Sequence, residues 1–278
     1  MAGAGMGRRV EAAAAAEEVE APAGERARRG RQRPWAGAAL ALVPLAAVAC
    51  GIAMPPPDAS PRQRFDWSRE RFEQEKYADA VRGLRDHLFR DPLDATSDSA
   101  RFLLAEAYLR SEQELLAANE FRQFATTRPN SPLADDAQLG TCRAYWALSP
   151  DLPRDQEFTQ NVVEECTRLL EFFPRSELAP EARRILAAAR EKLARKALRV
   201  GKWYFDRRLH ESAIIYLETI LRTWPEAEVV PTTLALLHDA YSTVGFQREA
   251  DAVRQRLVEA YPESPEARRL GGEEATGR

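Results

Sequence analysis

Five times along this chain a small side chain is followed by a proline twelve positions later: Ala80 and Pro92, Ala117 and Pro129, Val162 and Pro174, Ala213 and Pro225, Ala250 and Pro262. That interval fits a pair of antiparallel helices about 34 residues long. The small residue on the second helix lets it approach the first closely, and the proline just past its end stops it. The spacing therefore predicts an all-α protein, an α-solenoid of about five helix pairs whose product is a binding surface. A helical bundle with prolines at these offsets by coincidence is the alternative.

The frame extends to both sides. Twelve residues before each small residue lie Ser68, Ala105, Gly201 and His238, with Leu104, Val200 and Leu237 ahead of them and Tyr108, Tyr204 and Tyr241 three later. Leu139 and Gly140 open the third unit, but Pro174 arrives ten residues late. Four and seven residues after the small position come Leu84 and His87, Phe121 and Phe124, Cys166 and Leu169, Leu217 and Ile220, Arg254 and Leu257. These residues resemble the tetratricopeptide repeat, whose signature places apolar, Gly, aromatic, Ala, aromatic and Pro residues at such offsets. Ser131, Ser176 and Ser264 each stand two residues past a stopping proline, where a hydroxyl can accept from the free N–H groups of the next helix.

Composition narrows the function classes. With 278 residues, 45% hydrophobic content, 14 Gly and 18 Pro, the chain can bury a core and is neither β-rich nor disordered. The net charge is −3, and Arg and Glu alternate along the helices without a basic stripe or interleaved aromatics, which argues against nucleic acid. His87, His210 and His238 fall in different units, and no phosphate loop, nucleophile elbow or paired carboxylates occur, which argues against an enzyme and calls for no metal or cofactor. Cys142 and Cys166 flank the lengthened part of the third unit. A disulfide in an oxidising compartment and a pair of small core residues are both open readings.

The chain before the repeats divides clearly. Residues 1–34 are low-complexity and end in Arg26, Arg28, Arg29, Arg31 and Arg33. Residues 35–50 form an apolar run ending Ala47-Val48-Ala49-Cys50-Gly51, which resembles a signal peptide with a bacterial lipobox, Cys50 being the lipidated residue. An uncleaved anchor is the second reading, since ~20 apolar residues span a bilayer, and a buried helix the third. The first two place the arginines inside and the repeats outside the cytoplasm. Residues 51–62 are Pro-rich and are expected to form a stiff tether of about 30 Å if extended at ~3.1 Å per residue. The repeats are expected over 63–270 and a loose tail over 271–278.

Two irregularities complete the pattern. The third unit carries Asp151-Leu152-Pro153-Arg154-Asp155-Gln156, and Pro174 to Pro225 spans 51 residues where Pro92 to Pro129 spans 37. With the lipobox, Arg168-Leu169-Leu170-Glu171-Phe172-Phe173-Pro174, Trp203-Tyr204-Phe205 and Thr223-Trp224-Pro225, the chain resembles the BamD (YfiO) family of outer-membrane barrel-assembly lipoproteins. That resemblance implies a lipid-anchored protein on the periplasmic face of the outer membrane. Its C-terminal repeats would dock a POTRA-containing, barrel-forming subunit, and its N-terminal repeats would meet unfolded outer-membrane proteins. In the first two units the concave-face offsets fall on Phe65, Arg69, Phe72, Phe102, Glu106 and Leu109. They read either as a groove for an extended peptide ending in an aromatic and a carboxylate or as core fillers. Another tetratricopeptide lipoprotein, an adaptor in cell-wall, pilus or secretion assembly, is the alternative function.

Overall fold

The computed structural model describes residues 54–276. They form eleven α-helices: α1 (Pro61–Glu73), α2 (Tyr77–Arg90), α3 (Ser97–Arg110), α4 (Glu114–Thr127), α5 (Ala134–Leu148), α6 (Glu157–Phe172), α7 (Ala179–Asp206), α8 (His210–Thr223), α9 (Val230–Val244), α10 (Gln247–Ala260) and α11 (Pro265–Thr276). Each packs on its neighbours in sequence, and the first helices of successive units also touch. The described part of the chain is an all-α solenoid of tetratricopeptide type.

The small positions do what the spacing requires. Ala80, Ala117, Val162, Ala213 and Ala250 are fully buried on α2, α4, α6, α8 and α10. Leu84, Phe121, Cys166 and Leu217, one turn later on the first four of these helices, are buried with them. Each helix ends two residues before its proline. The intervening Asp91, Arg128, Phe173, Trp224 and Tyr261 share φ near −130° and ψ between 50° and 62°. A residue ahead of proline is pushed out of the helical region by the ring, so the five joints share one geometry.

The serines divide between two roles. Ser264 is a true N-cap: its hydroxyl accepts from Ala267 N–H at 3.1 Å, and Pro265 opens α11. Ser131 and Ser176 instead accept from Leu133 and Leu178, two residues on, and so close a turn that precedes α5 and α7.

Within each pair the connection is a tight turn with a residue in the left-handed region, at Glu75, Glu112, Arg208 and Gly245, always five residues before the small position. The third unit lacks this turn because Ser149 to Gln156 replace it. That segment is held firmly: Gln156 Nε2 donates to the carbonyls of Asp151 and Arg154, Lys192 donates to Ser149, and Lys196 to Pro153.

The second excess lies in α7, at 28 residues the longest helix described. Its first half buries Ala182, Ile185, Leu186 and Ala189 in the core of the first three units. Its second half contributes Ala194 to a separate core with α8, α9 and α10. One rod therefore belongs to two cores.

Both ends differ from the expected boundaries. The helix starts at Pro61, capped by a reciprocal pair of hydrogen bonds between Ser60 and Gln63, so two residues of the expected tether are helical. The preceding Pro56 to Ala59 close a turn through Ala59 N–H and the Pro56 carbonyl, so this stretch is folded and not extended. At the other end α11 runs through Gly271 and Gly272 to Thr276, into the segment expected to be loose. Cys50 and the apolar run lie outside the described residues.

Candidate functional site

The six peptide-groove candidates separate by burial. Phe65 on α1 is 7% exposed and packs in the first core. Phe102 on α3 sits edge-on to Phe121 and Phe124, with centroids 5.6 and 6.2 Å away. Phe72 meets Tyr77 edge-on at 5.4 Å, and Leu109 is also half-buried against this core. Edge-on aromatic pairs are packing contacts of ordinary strength, so these rings chiefly hold the first two units together. Of the polar members, Arg69 is exposed, whereas Glu106 is largely covered. The Arg69 guanidinium lies 5.9 Å from the Phe65 centroid and pairs with Asp66 and Glu73, while Glu106 is 3.9 Å from Arg110.

The same face continues as a line of charge across α3, α5 and α7. Arg143 holds Glu181 through two hydrogen bonds of 2.8 and 2.7 Å, which keeps the Glu181 carboxyl below its ordinary range. Glu106 and Asp136 are pushed upward, chiefly by burial. This arrangement can orient a backbone or a carboxylate. It offers no reactive group.

A second surface lies where α7 meets α8. Trp203 is 48% exposed and Ile215 65% exposed. Tyr204 stacks on Tyr216 at 5.1 Å, Trp203 meets Tyr204 edge-on at 5.0 Å, and Arg207 caps Trp203 at 3.8 Å. A rigid aromatic cluster with an arginine, open to solvent, has the composition of an interface centre. Ile215 and Tyr216 stand two and three residues after the small position, where the other units carry Arg82 and Gly83, Asn119 and Glu120, Glu164 and Glu165, Ala252 and Val253. That departure was the signal available in the sequence.

Between the two cores a groove of about 960 Å³ runs along the middle of α7, with Leu152, Leu170, Leu186 and Trp224 as apolar walls and Arg183 and Arg190 at its rim. The inserted segment forms one side of it. Cys142 and Cys166 are free and fully buried, α5 against α6, and burial raises the Cys142 thiol far above its ordinary value. As described, they are core residues. No helix among the described residues is long and apolar enough to cross a membrane.

Comparison with known proteins gives the chain a family context. The YfiO family model, described as an outer membrane lipoprotein, matches residues 57–257. A Caulobacter vibrioides protein named outer membrane protein assembly factor BamD is 23% identical over 67% of this chain, and the match spans 61% of that protein's length. Proteins of the same name from Haemophilus influenzae and Vibrio cholerae are 23% and 21% identical over 80% and 72% of the chain, covering 89% and 88% of theirs. Among solved structures, a thermophilic tetratricopeptide protein of Thermus thermophilus aligns over 78% of this chain and all of its own, at 16% identity and a TM-score of 0.34. The TPR2AB domain of yeast Sti1 aligns over 77% of this chain and 82% of its own, at 13% identity and a TM-score of 0.39.

Proposed function

The chain belongs to the YfiO family of outer membrane lipoproteins, and from that premise we propose that it is a scaffold of the outer-membrane β-barrel assembly machinery. In this reading Cys50 carries the lipid, the repeats stand on the periplasmic face, and α7 and α8 dock a POTRA-containing subunit. The observation that carries the docking site is the open cluster of Trp203, Tyr204, Ile215 and Tyr216. Such a surface is too apolar to be left in solvent for stability alone, and its rings are already ordered against one another, so little side-chain entropy is lost on binding.

For unfolded barrel proteins the first two units offer Arg69 and Glu106 as polar contacts, with Phe65, Phe72, Phe102 and Leu109 setting the shape of the floor from beneath. Here the aromatics would act by support, and the charged pair by direct contact with the peptide chain.

The experiment is a pull-down from detergent-solubilised membranes with the tagged full chain, alongside a Trp203→Ala, Tyr216→Glu variant. A POTRA-containing partner is expected with the native chain and at least tenfold less of it with the variant. Recovery of no such partner, with normal levels of outer-membrane barrels after depletion, would exclude this role and favour an adaptor in cell-wall, pilus or secretion assembly.

A further inference from the structure

The first joint differs from the other four in a way that its geometry does not require. Phe89 is 87% exposed and Leu93 93% exposed, with the exposed Pro92 between them. The corresponding pairs elsewhere are Thr126 and Asn130, Glu171 and Arg175, Arg222 and Glu226, Glu259 and Glu263. At these two positions the other joints carry polar residues. Although the third joint exposes one ring, Phe172, only the first exposes an apolar pair on both sides of its proline, which answers to something outside the fold.

The position of this joint identifies what that is. The buried Arg64 donates both to the Ala59 carbonyl and to Asp91, which lies between Phe89 and Leu93 in the chain. The N-terminal segment is therefore tied through one guanidinium to the residue that stands between the apolar pair in the chain. From Met54, itself 41% exposed, only four residues lead back to Cys50, a reach of at most ~14 Å even when fully extended. The folded turn from Pro56 to Ala59 removes the remaining slack.

We propose that Phe89, Pro92 and Leu93 form a membrane-contact surface that seats the first unit on the lipid bilayer beside its anchor. This rests on the reading of Cys50 as the lipidated residue. Exposed Phe and Leu side chains at a joint suit the boundary between head groups and acyl chains. The nearby exposed charges do not make a basic patch: Arg62 pairs with Asp66 and Arg90 with Asp86, Arg85, one turn before Phe89, is within electrostatic range of Glu120, and Asp58 is also exposed. Attachment through this joint is therefore apolar and insensitive to salt, unlike adsorption through arginines.

The test uses the full chain in vesicles of phosphatidylethanolamine and phosphatidylglycerol, with a solvatochromic fluorophore on Leu93→Cys and, as the control, on Glu263→Cys. Cys142 and Cys166 are fully buried and stay unlabelled in the folded protein. The expected result is a blue shift at 93, with quenching by spin-labelled lipid several-fold stronger than at 263, unchanged by molar salt and weakened by Phe89→Ser. Flotation and the mass of the N-terminal peptide report separately on Cys50. A lipidated, floating chain whose probe at 93 stays in water overturns this proposal and leaves the anchor standing. An unlipidated chain that fails to float overturns the anchor reading, and the proposal with it. A blue shift at 93 that appears with added protein partner but not with lipid would assign the joint to protein docking and refute membrane contact.

Discussion

At the scale of single residues, the fold is most sensitive where helices come closest. A Cβ on Gly140 would stand 2.7 Å from the Phe121 ring, whereas one on Gly201 would meet the equally buried Leu217 at 3.0 Å, a milder overlap. Gly140→Ala is expected to cost ~1–3 kcal/mol from overpacking, and Gly201→Ala to be near neutral because alanine gains ~1 kcal/mol of helix propensity. Urea denaturation of the two variants checks the contrast. The left-handed turn residues give the opposite sign. Glu112 has φ 58° where the fifth unit has Gly245 at φ 86°, so Glu112→Gly should stabilise by up to ~1 kcal/mol. His87 adds a dependence on pH. It is fully buried, Nε2 lies 3.0 Å from Thr96 Oγ1, Nδ1 has no hydrogen-bond partner, and burial lowers its pKa. The unfolded chain takes up a proton at about 6.5 while the folded one resists it. Stability is therefore complete above that value and falls on acidification until the folded pKa is passed. His87→Gln should flatten the pH dependence of melting in that window; an unchanged slope would show that other groups set it.

At the scale of elements, the test of the architecture is α7. Arg190 is exposed midway between the two cores, so Arg190→Pro removes a helical hydrogen bond without emptying either core, at a cost of ~3 kcal/mol or more. Calorimetry should then show the two cores melting separately; a profile identical to the native one would mean that α7 does not join them. Helix pairs, joints and packing slots were all legible in the chain, because each is fixed by one small residue or one proline at a set offset. Even the weak fits His87 and Cys166 proved to be fully buried core members. Less legible were the exposed surfaces. Phe65 and Phe102 lie at offsets that flank the small residue of the first helix, yet a helix rotation of a few tens of degrees separates groove from core, and periodicity alone does not resolve that angle. The Trp203 and Tyr216 cluster joins side chains from two helices, which a pattern confined to one helix does not reveal. The left-handed turns were hidden because three of the four carry Glu or Arg instead of glycine.

At the scale of the whole molecule, the solenoid keeps its tasks apart. Each unit leans only on its neighbours, so a change at one surface need not reach another. The Trp203→Ala, Tyr216→Glu variant is thus expected to lose partner binding with a melting temperature close to native, and with the fluorescence at a labelled residue 93 unaltered. Loss of both together would indicate that the two ends communicate. The Arg64 clamp has a mechanical consequence. Because it grips Ala59 with one side of its guanidinium and the Asp91 carboxylate with the other, tension applied through the N-terminal segment reaches α1 and α2 at once. The pair is then loaded along its length, in shear, and does not peel open one turn at a time from its outer end.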